Sequence, residues 1–278
     1  MSENLITKDD VLGALRGARI HPSIPDVIVA IINITRSDRA SLTDLVNAIE
    51  KDEVLSKRLM SIGNSGFFGK ERKVRHVQEA VVMMGWNNVK MISLGSTIMK
   101  VISKTDMRLY GHAIKTAQYA HYIATEAKLY KIEDITLVGL LHNIGSVILL
   151  TYFTNEALQA KQYAIKHGVP IQVAERAVLG VDHAEIGGWT VAEWKLPDNI
   201  IETISEHHDF YHQSFHARKT AAIHIGECLA LMADYTGPAW EKINTIHPDA
   251  VKKLGFSEDD FRSLALKCLK KKFEPIIM

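Results

Sequence analysis

Apolar residues recur three and four positions apart along almost the whole of this 278-residue chain. That spacing lines them up on one face of a 3.6-residue helix, and it predicts an all-α fold. Alternating apolar and polar runs flanked by turn dipeptides, which would mark paired strands, are scarce. The helix punctuation agrees. Pro25 is expected to open a helix running to Ile32, and Pro197 one running to His207. Ser41 with Asp44, and Ser257 with Asp260, have the spacing of first-turn caps. Gly85, Gly168, Gly180 and Gly255 follow periodic stretches, where helices stop. No segment has the composition of a linker, and no internal repeat is evident. A seam is expected in ISKTDMRLYGH, residues 102–112, where one long apolar pattern ends and a new helix begins. The chain is therefore read as two packed helical sub-bundles, 1–105 and 106–278, the second carrying most of the histidines and a C-terminal extension.

Charge and cysteine content narrow the functional classes. Lys and Arg total 33 against 32 Asp and Glu, a net charge of +1, so nothing in the overall balance favours nucleic acid or an anionic membrane as partner. No apolar run is expected to approach the roughly 18–20 residues of a membrane span. Val147–Leu150 reads as a core segment. The start, MSENLITKDD, turns acidic where a signal peptide would be apolar. Cys228 and Cys268 are too few and too far apart for a disulfide framework, so a reduced, cytoplasmic protein is expected. Cys228 lies among apolar neighbours and is expected to be inert. Trp189, Trp194 and Leu196 are expected in the core. SIGNSGFFGK lacks the Gly-Lys-Ser/Thr ending of a phosphate loop and reads as a helix-to-helix loop, in which Asn64 and Gly66 permit left-handed backbone.

The thirteen histidines carry the chemistry. His112 and His121 fall on one expected helix, His142 lies in GLLHNIG, His183 in VDHAEIGG, and His207 and His208 are adjacent in ISEHHDF. A neutral imidazole is a good donor to zinc, iron, nickel or manganese near pH 7. Adjacent residues on a helix point about 100° apart, so His207 and His208 are not expected to address one ion as equals. One would ligate while the other faces a second ion, a phosphate or a carboxylate. His21, His76, His167 and His247 are expected to be structural, and His212 and His216 to cover a loop.

GHAIKTAQYAHYIA, GLLHNIG and DHAEIGGWTVAEWKLPDNIIETISEHH resemble the HD superfamily of metal-dependent phosphohydrolases, and more closely its HDOD branch, the HD-related output domain. IPDVIVAIINI, LVNAIEKDEVLSKRLMSIGNSGFFG and HVQEAVVMMGWNNVKMISLG resemble the N-terminal helices of HDOD proteins, so the resemblance runs from about residue 20 to 235. It implies a metal-ligand set of His112, His142, His183, His207, His208 and Glu227, with Asn143 in a ligand pocket. Two departures stand out. The aspartate of the His-Asp pair is Asn143 here, and the late aspartate is Glu227 in HIGECLALM. The family's aspartate bridges two ions and helps lower the pKa of the attacking water, whereas an amide is neutral and offers one weak oxygen. Glu227 keeps its charge but is a methylene longer. The resemblance thus implies a regulatory HDOD protein, catalytically inactive, that binds a signalling protein or a small regulatory ligand. A metal-dependent phosphohydrolase acting on a nucleotide or cyclic dinucleotide is the alternative, with iron, manganese, zinc or nickel as cofactor.

Overall fold

Every regular element described in a computed structural model of the chain is an α-helix, as the apolar spacing predicts. The structure describes residues 7–17, 37–64 except 38, 73–85, 106–194 except 131, 196–209, 216–233 and 246–271. It also describes single positions 27, 30, 31, 33, 34, 89 and 93. In chain order the helices are α1 (Lys8–Gly17), α2 (Leu42–Glu50), α3 (Glu53–Gly63), α4 (Val77–Met84), α5 (Met107–Glu126), α6 (Glu133–Leu141) and α7 (Ile144–Tyr152). They continue with α8 (Thr154–His167), α9 (Ile171–Leu179), α10 (His183–Glu193), α11 (Asp198–Ser205), α12 (Ala217–Ala233), α13 (Pro248–Leu254) and α14 (Glu258–Lys270).

The expected punctuation does its work through local hydrogen bonds. At the start of α2, Ser41 Oγ accepts from the Asp44 N–H, while the Asp44 carboxylate accepts from the Ser41 N–H at 2.8 Å. Ser257 Oγ likewise accepts from the Asp260 N–H to start α14. Each cap satisfies amide groups that a helix start leaves orphaned. Gly85, Gly168, Gly180 and Gly255 all have positive φ at the ends of α4, α8, α9 and α13. Asn64 stabilises its loop in a different way from that expected: its backbone is not left-handed. Its side chain instead accepts from the Val74 N–H at 2.7 Å and donates to the Met60 and Val74 carbonyls. Pro25 and Gly66 lie outside the described residues.

One hydrophobic core joins α2–α4 to the later helices, with Leu45, Ile49, Leu59, Ile123, Leu137 and Leu141 wholly buried. Side chains of this size each contribute about 1.5–3 kcal/mol when fully buried. A second cluster packs Val11 and Leu15 of α1 onto Ile148, Leu149, Phe153, Leu179 and Ile186. Helix α1 is pinned there by Lys8, whose Nζ donates to Glu185 Oε1 at 2.6 Å. Trp194 and Leu196 are in the main core, as expected, whereas Trp189 is only partly buried and packs against the second cluster.

The stretch Asp134–Tyr152 is long and apolar enough to cross a membrane, which corrects the expectation that no run approaches that length. It is, however, 67% buried inside the protein and broken by a turn at His142 and Asn143, so its hydrophobicity is spent on the core.

Two close approaches set the geometry that follows. A Cβ on Gly226 of α12 would lie 2.7 Å from the Ala120 amide nitrogen, so α12 and α5 touch at backbone distance. A Cβ on Gly145 of α7 would lie 2.0 Å from the His183 carbonyl oxygen, so only glycine lets α7 reach the start of α10.

Candidate metal centre

Five histidines and one glutamate from five separate pieces of chain converge. His112 lies in the first turns of α5, and Glu227 is in the middle of α12, which runs along α5. His142 occupies the turn after α6, and His183 is the first residue of α10. His207 and His208 follow α11.

That last placement overturns one expectation. Helix α11 was expected to run through His207, which would splay the adjacent pair apart. It ends at Ser205, with Glu206 as its cap, and the two histidines sit in an irregular turn. Freed from the helical 100° step, their rings lie with centroids 4.0 Å apart. Both join His183 in one group, whose three donor atoms lie within 4.8 Å of one another. His112, His142 and Glu227 form a second group under the same limit. The groups adjoin, since the His142 and His207 ring centroids are 5.3 Å apart.

Hydrogen bonds fix which nitrogen faces inward. The His142 Nδ1–H donates to the Gly139 carbonyl at 2.7 Å, and the His207 Nδ1–H donates to the Ile204 carbonyl at 2.6 Å. The proton is therefore on Nδ1, and the Nε2 lone pair of each ring is left without a hydrogen-bond partner in a fully buried position. Orphaned buried acceptors are rare in folded proteins and call for an explanation such as an ion. The His183 Nδ1–H donates to Glu175 Oε2 at 2.6 Å, which turns its Nε2 towards His208 Nε2, 2.9 Å away. Two imidazole nitrogens that close must share a proton or an ion. A histidine that gives one N–H to a carboxylate and its other nitrogen to a metal is the usual arrangement around bound transition metals.

The electrostatics point the same way. Burial, reinforced by the neighbouring histidines, holds His142 and His208 well below the usual imidazole range and His207 at about 3. These three rings stay neutral, the form that ligates. Burial also opposes charge on His183, but the Glu175 carboxylate outweighs it and the pKa rises. Glu227 is pushed up to about 7 by burial, partly offset by His183. Donors on one tetrahedral ion at about 2.0–2.1 Å stand about 3.4 Å apart, so each group, with donor atoms within 4.8 Å of one another, closes on a metal with shifts of up to about 1.4 Å. The residues present fit a divalent transition metal.

Two contributors from α9 escaped the sequence reading. Glu175 orients His183 through both its ring and its backbone N–H. Arg176 forms an ion pair with Asp182, which caps α10 at His183, and donates to Asp209, which follows His208. One guanidinium thus ties together the two segments that carry three of the candidate ligands. A signal was present: Glu175 falls in register with Ala174 and Leu179 on the buried stripe of α9, an unusual place for a lone carboxylate.

The other described histidines lie outside the two donor groups. His247 caps α13 by accepting from the Asp249 N–H, and His167 stacks on Tyr163. His76 precedes α4, and His216 lies 3.8 Å from Glu202. His224 lies one turn before Glu227, half-buried, and loss of water around its ring holds it at about pKa 4. His21 and His212 lie outside the described residues. Asn143, expected in a ligand pocket, sits in the turn beside His142, with its Oδ1 buried and without a hydrogen-bond partner.

A family model, the HDOD domain, matches residues 21–210, more than half of the chain. The chain belongs to the HDOD family. Among solved structures, this HDOD protein is similar to a candidate phosphohydrolase from Shewanella amazonensis, at TM-score 0.73 and 19% identity over 93% of each chain. It is also similar to a candidate signal-transduction protein from Marinobacter aquaeolei, at TM-score 0.64 and 19% identity, covering 92% of this chain and 61% of that one. At that identity the likeness is one of fold. An uncharacterized protein of Treponema pallidum is 27% identical over 195 residues, which span 69% of this chain but 38% of that longer relative.

Proposed function

We propose that this HDOD protein is a regulatory module whose histidine centre holds a divalent transition metal and does not hydrolyse phosphoesters. In this reading it acts through a signalling-protein partner or a small regulatory ligand, in the cytoplasm. The observation that carries it is Asn143, which stands beside His142 where the catalytic pattern has aspartate. His112, His142, His183, His207, His208 and Glu227 would hold the metal, and the metal would supply Lewis acidity there. Asn143 supplies no negative charge to draw a proton from a bound water and only one neutral oxygen to share. The Marinobacter neighbour's name, a candidate signal-transduction protein, is consistent with the regulatory reading. The sub-bundles 1–105 and 106–278 would exchange the signal across the 102–112 seam, since residues of both parts share one core.

A second reading, a metal-dependent phosphohydrolase acting on a nucleotide or cyclic dinucleotide, is favoured by the convergence of all six donors. Turnover of bis(p-nitrophenyl) phosphate by the metal-loaded protein separates the two. The regulatory reading expects no rate above that of the metal-free protein. Robust metal-dependent turnover that His142→Ala abolishes would establish the enzyme instead.

A further inference from the structure

We propose that Glu227 is the bridging carboxylate of this centre, taking over from α12 the task that an aspartate at position 143 performs in the catalytic pattern. The inference rests on the metal-holding reading above and specifies how two ions would be kept together.

Glu227 is the one acid in the two donor groups. Its two oxygens face different groups: Oε1 lies 4.0 Å from His142 Nε2, and Oε2 lies 3.8 Å from His208 Nδ1. A carboxylate placed between two sets of imidazoles, with one oxygen towards each, has the geometry of a bridge. The amide of Asn143 cannot serve, because a single neutral oxygen does not offset two cations. The extra methylene of glutamate also acquires a purpose. It extends the carboxylate from α12 towards the His142 turn, while Gly226 lets α12 lie at backbone distance against Ala120 of α5. Finally, Glu227 is only 8% exposed. A carboxylate so far removed from water needs cations around it, and an ion on either side supplies them. The two departures from the catalytic pattern, Asn143 and Glu227, then form one compensated exchange in which the bridge moves from the end of α6 to α12.

The test is Mn(II) uptake by the untagged full chain, measured by equilibrium dialysis and electron paramagnetic resonance. The wild-type protein is expected to bind two equivalents with an exchange-coupled signal. Glu227→Gln should hold at most one equivalent, uncoupled. Asn143→Asp placed in the Glu227→Gln background should restore the second equivalent and the coupling. Should Glu227→Gln fail to fold, Glu227→Asp carries the test, because it keeps the charge but shortens the reach. Affinity for its second ion should fall by at least about 10-fold. Two coupled ions in Glu227→Gln, or no recovery in the folded double variant, would overturn the bridge. Wild-type protein that binds a single ion would overturn the bridge and leave the metal-holding reading intact; protein that binds none would overturn both.

Discussion

Replacing Gly145 with alanine puts a methyl group where α7 and α10 already touch. The new Cβ would lie 2.0 Å from the His183 carbonyl oxygen and 2.8 Å from the Gly187 nitrogen, whereas ordinary contact begins near 3.4 Å. The start of α10 must therefore retreat by about 1.4 Å. Both obstacles are backbone atoms that cannot swing aside, so the cost belongs at the upper end of the overpacking range, about 3 kcal/mol. For a urea slope of about 3 kcal/mol/M, that is a midpoint lowered by about 1 M. The retreating residue is also the one whose Nε2 meets His208. Metal centres tolerate misplacement of only about 0.5 Å, so bound metal should be lost under conditions where the variant is still folded. Gly111→Ala is the matched control. It lies in α5 next to His112, but nothing stands within 4 Å of its Cβ. It should raise stability by about 0.5–1 kcal/mol through the unfolded chain and leave metal content unchanged. Urea denaturation and elemental analysis of the two variants decide the matter. A Gly145→Ala protein with wild-type midpoint and full metal would refute the packing argument.

Glu175→Gln should weaken metal binding by about 10–100-fold while leaving the helix content unchanged, because the amide no longer orients His183 or strengthens its ring as a donor; unaltered affinity in a competition titration would contradict this. Arg176→Ala should release the turn 206–209 and the first turn of α10, read as faster hydrogen exchange there, with α5 and α6 unaffected; uniform protection across all of these would show that the guanidinium positions nothing. Burial pushes the Cys268 thiol up to about 12 and Cys228 higher still. Relative to an ordinary thiol near 9, that is about a thousandfold less thiolate for Cys268. Ellman's reagent should therefore titrate both cysteines in urea and neither in the native protein, and rapid native labelling would contradict the burial.

Much of the fold is legible in the chain because helices are specified locally. Ser41 with Asp44 and Ser257 with Asp260 act within one turn, and the glycines after α8 and α9 stop those helices through their own backbone freedom. The candidate ligands are legible by residue type, and the resemblance to the HD pattern gives their order. Their geometry is not. The His207–His208 pair was misjudged because a helical step was extended two residues past Ser205, and nothing local to EHHD says where that helix ends. Glu175 and Arg176 were missed for a related reason. Their partners His183, Asp182 and Asp209 are reached only by tertiary packing, and no periodicity encodes such contacts. The apolar length of Asp134–Tyr152 was likewise hidden by His142 and Asn143, polar residues in the turn that breaks it.

The central claim is that buried imidazoles with inward, unprotonated nitrogens form a working metal centre in an HDOD module. Elemental analysis of freshly purified protein, made without a histidine tag or chelator, tests it most directly. The account predicts one to two equivalents of a divalent transition metal per chain, lost in His142→Ala. Protein that carries no metal, and gains none when supplied with iron, manganese, zinc or nickel, would contradict it.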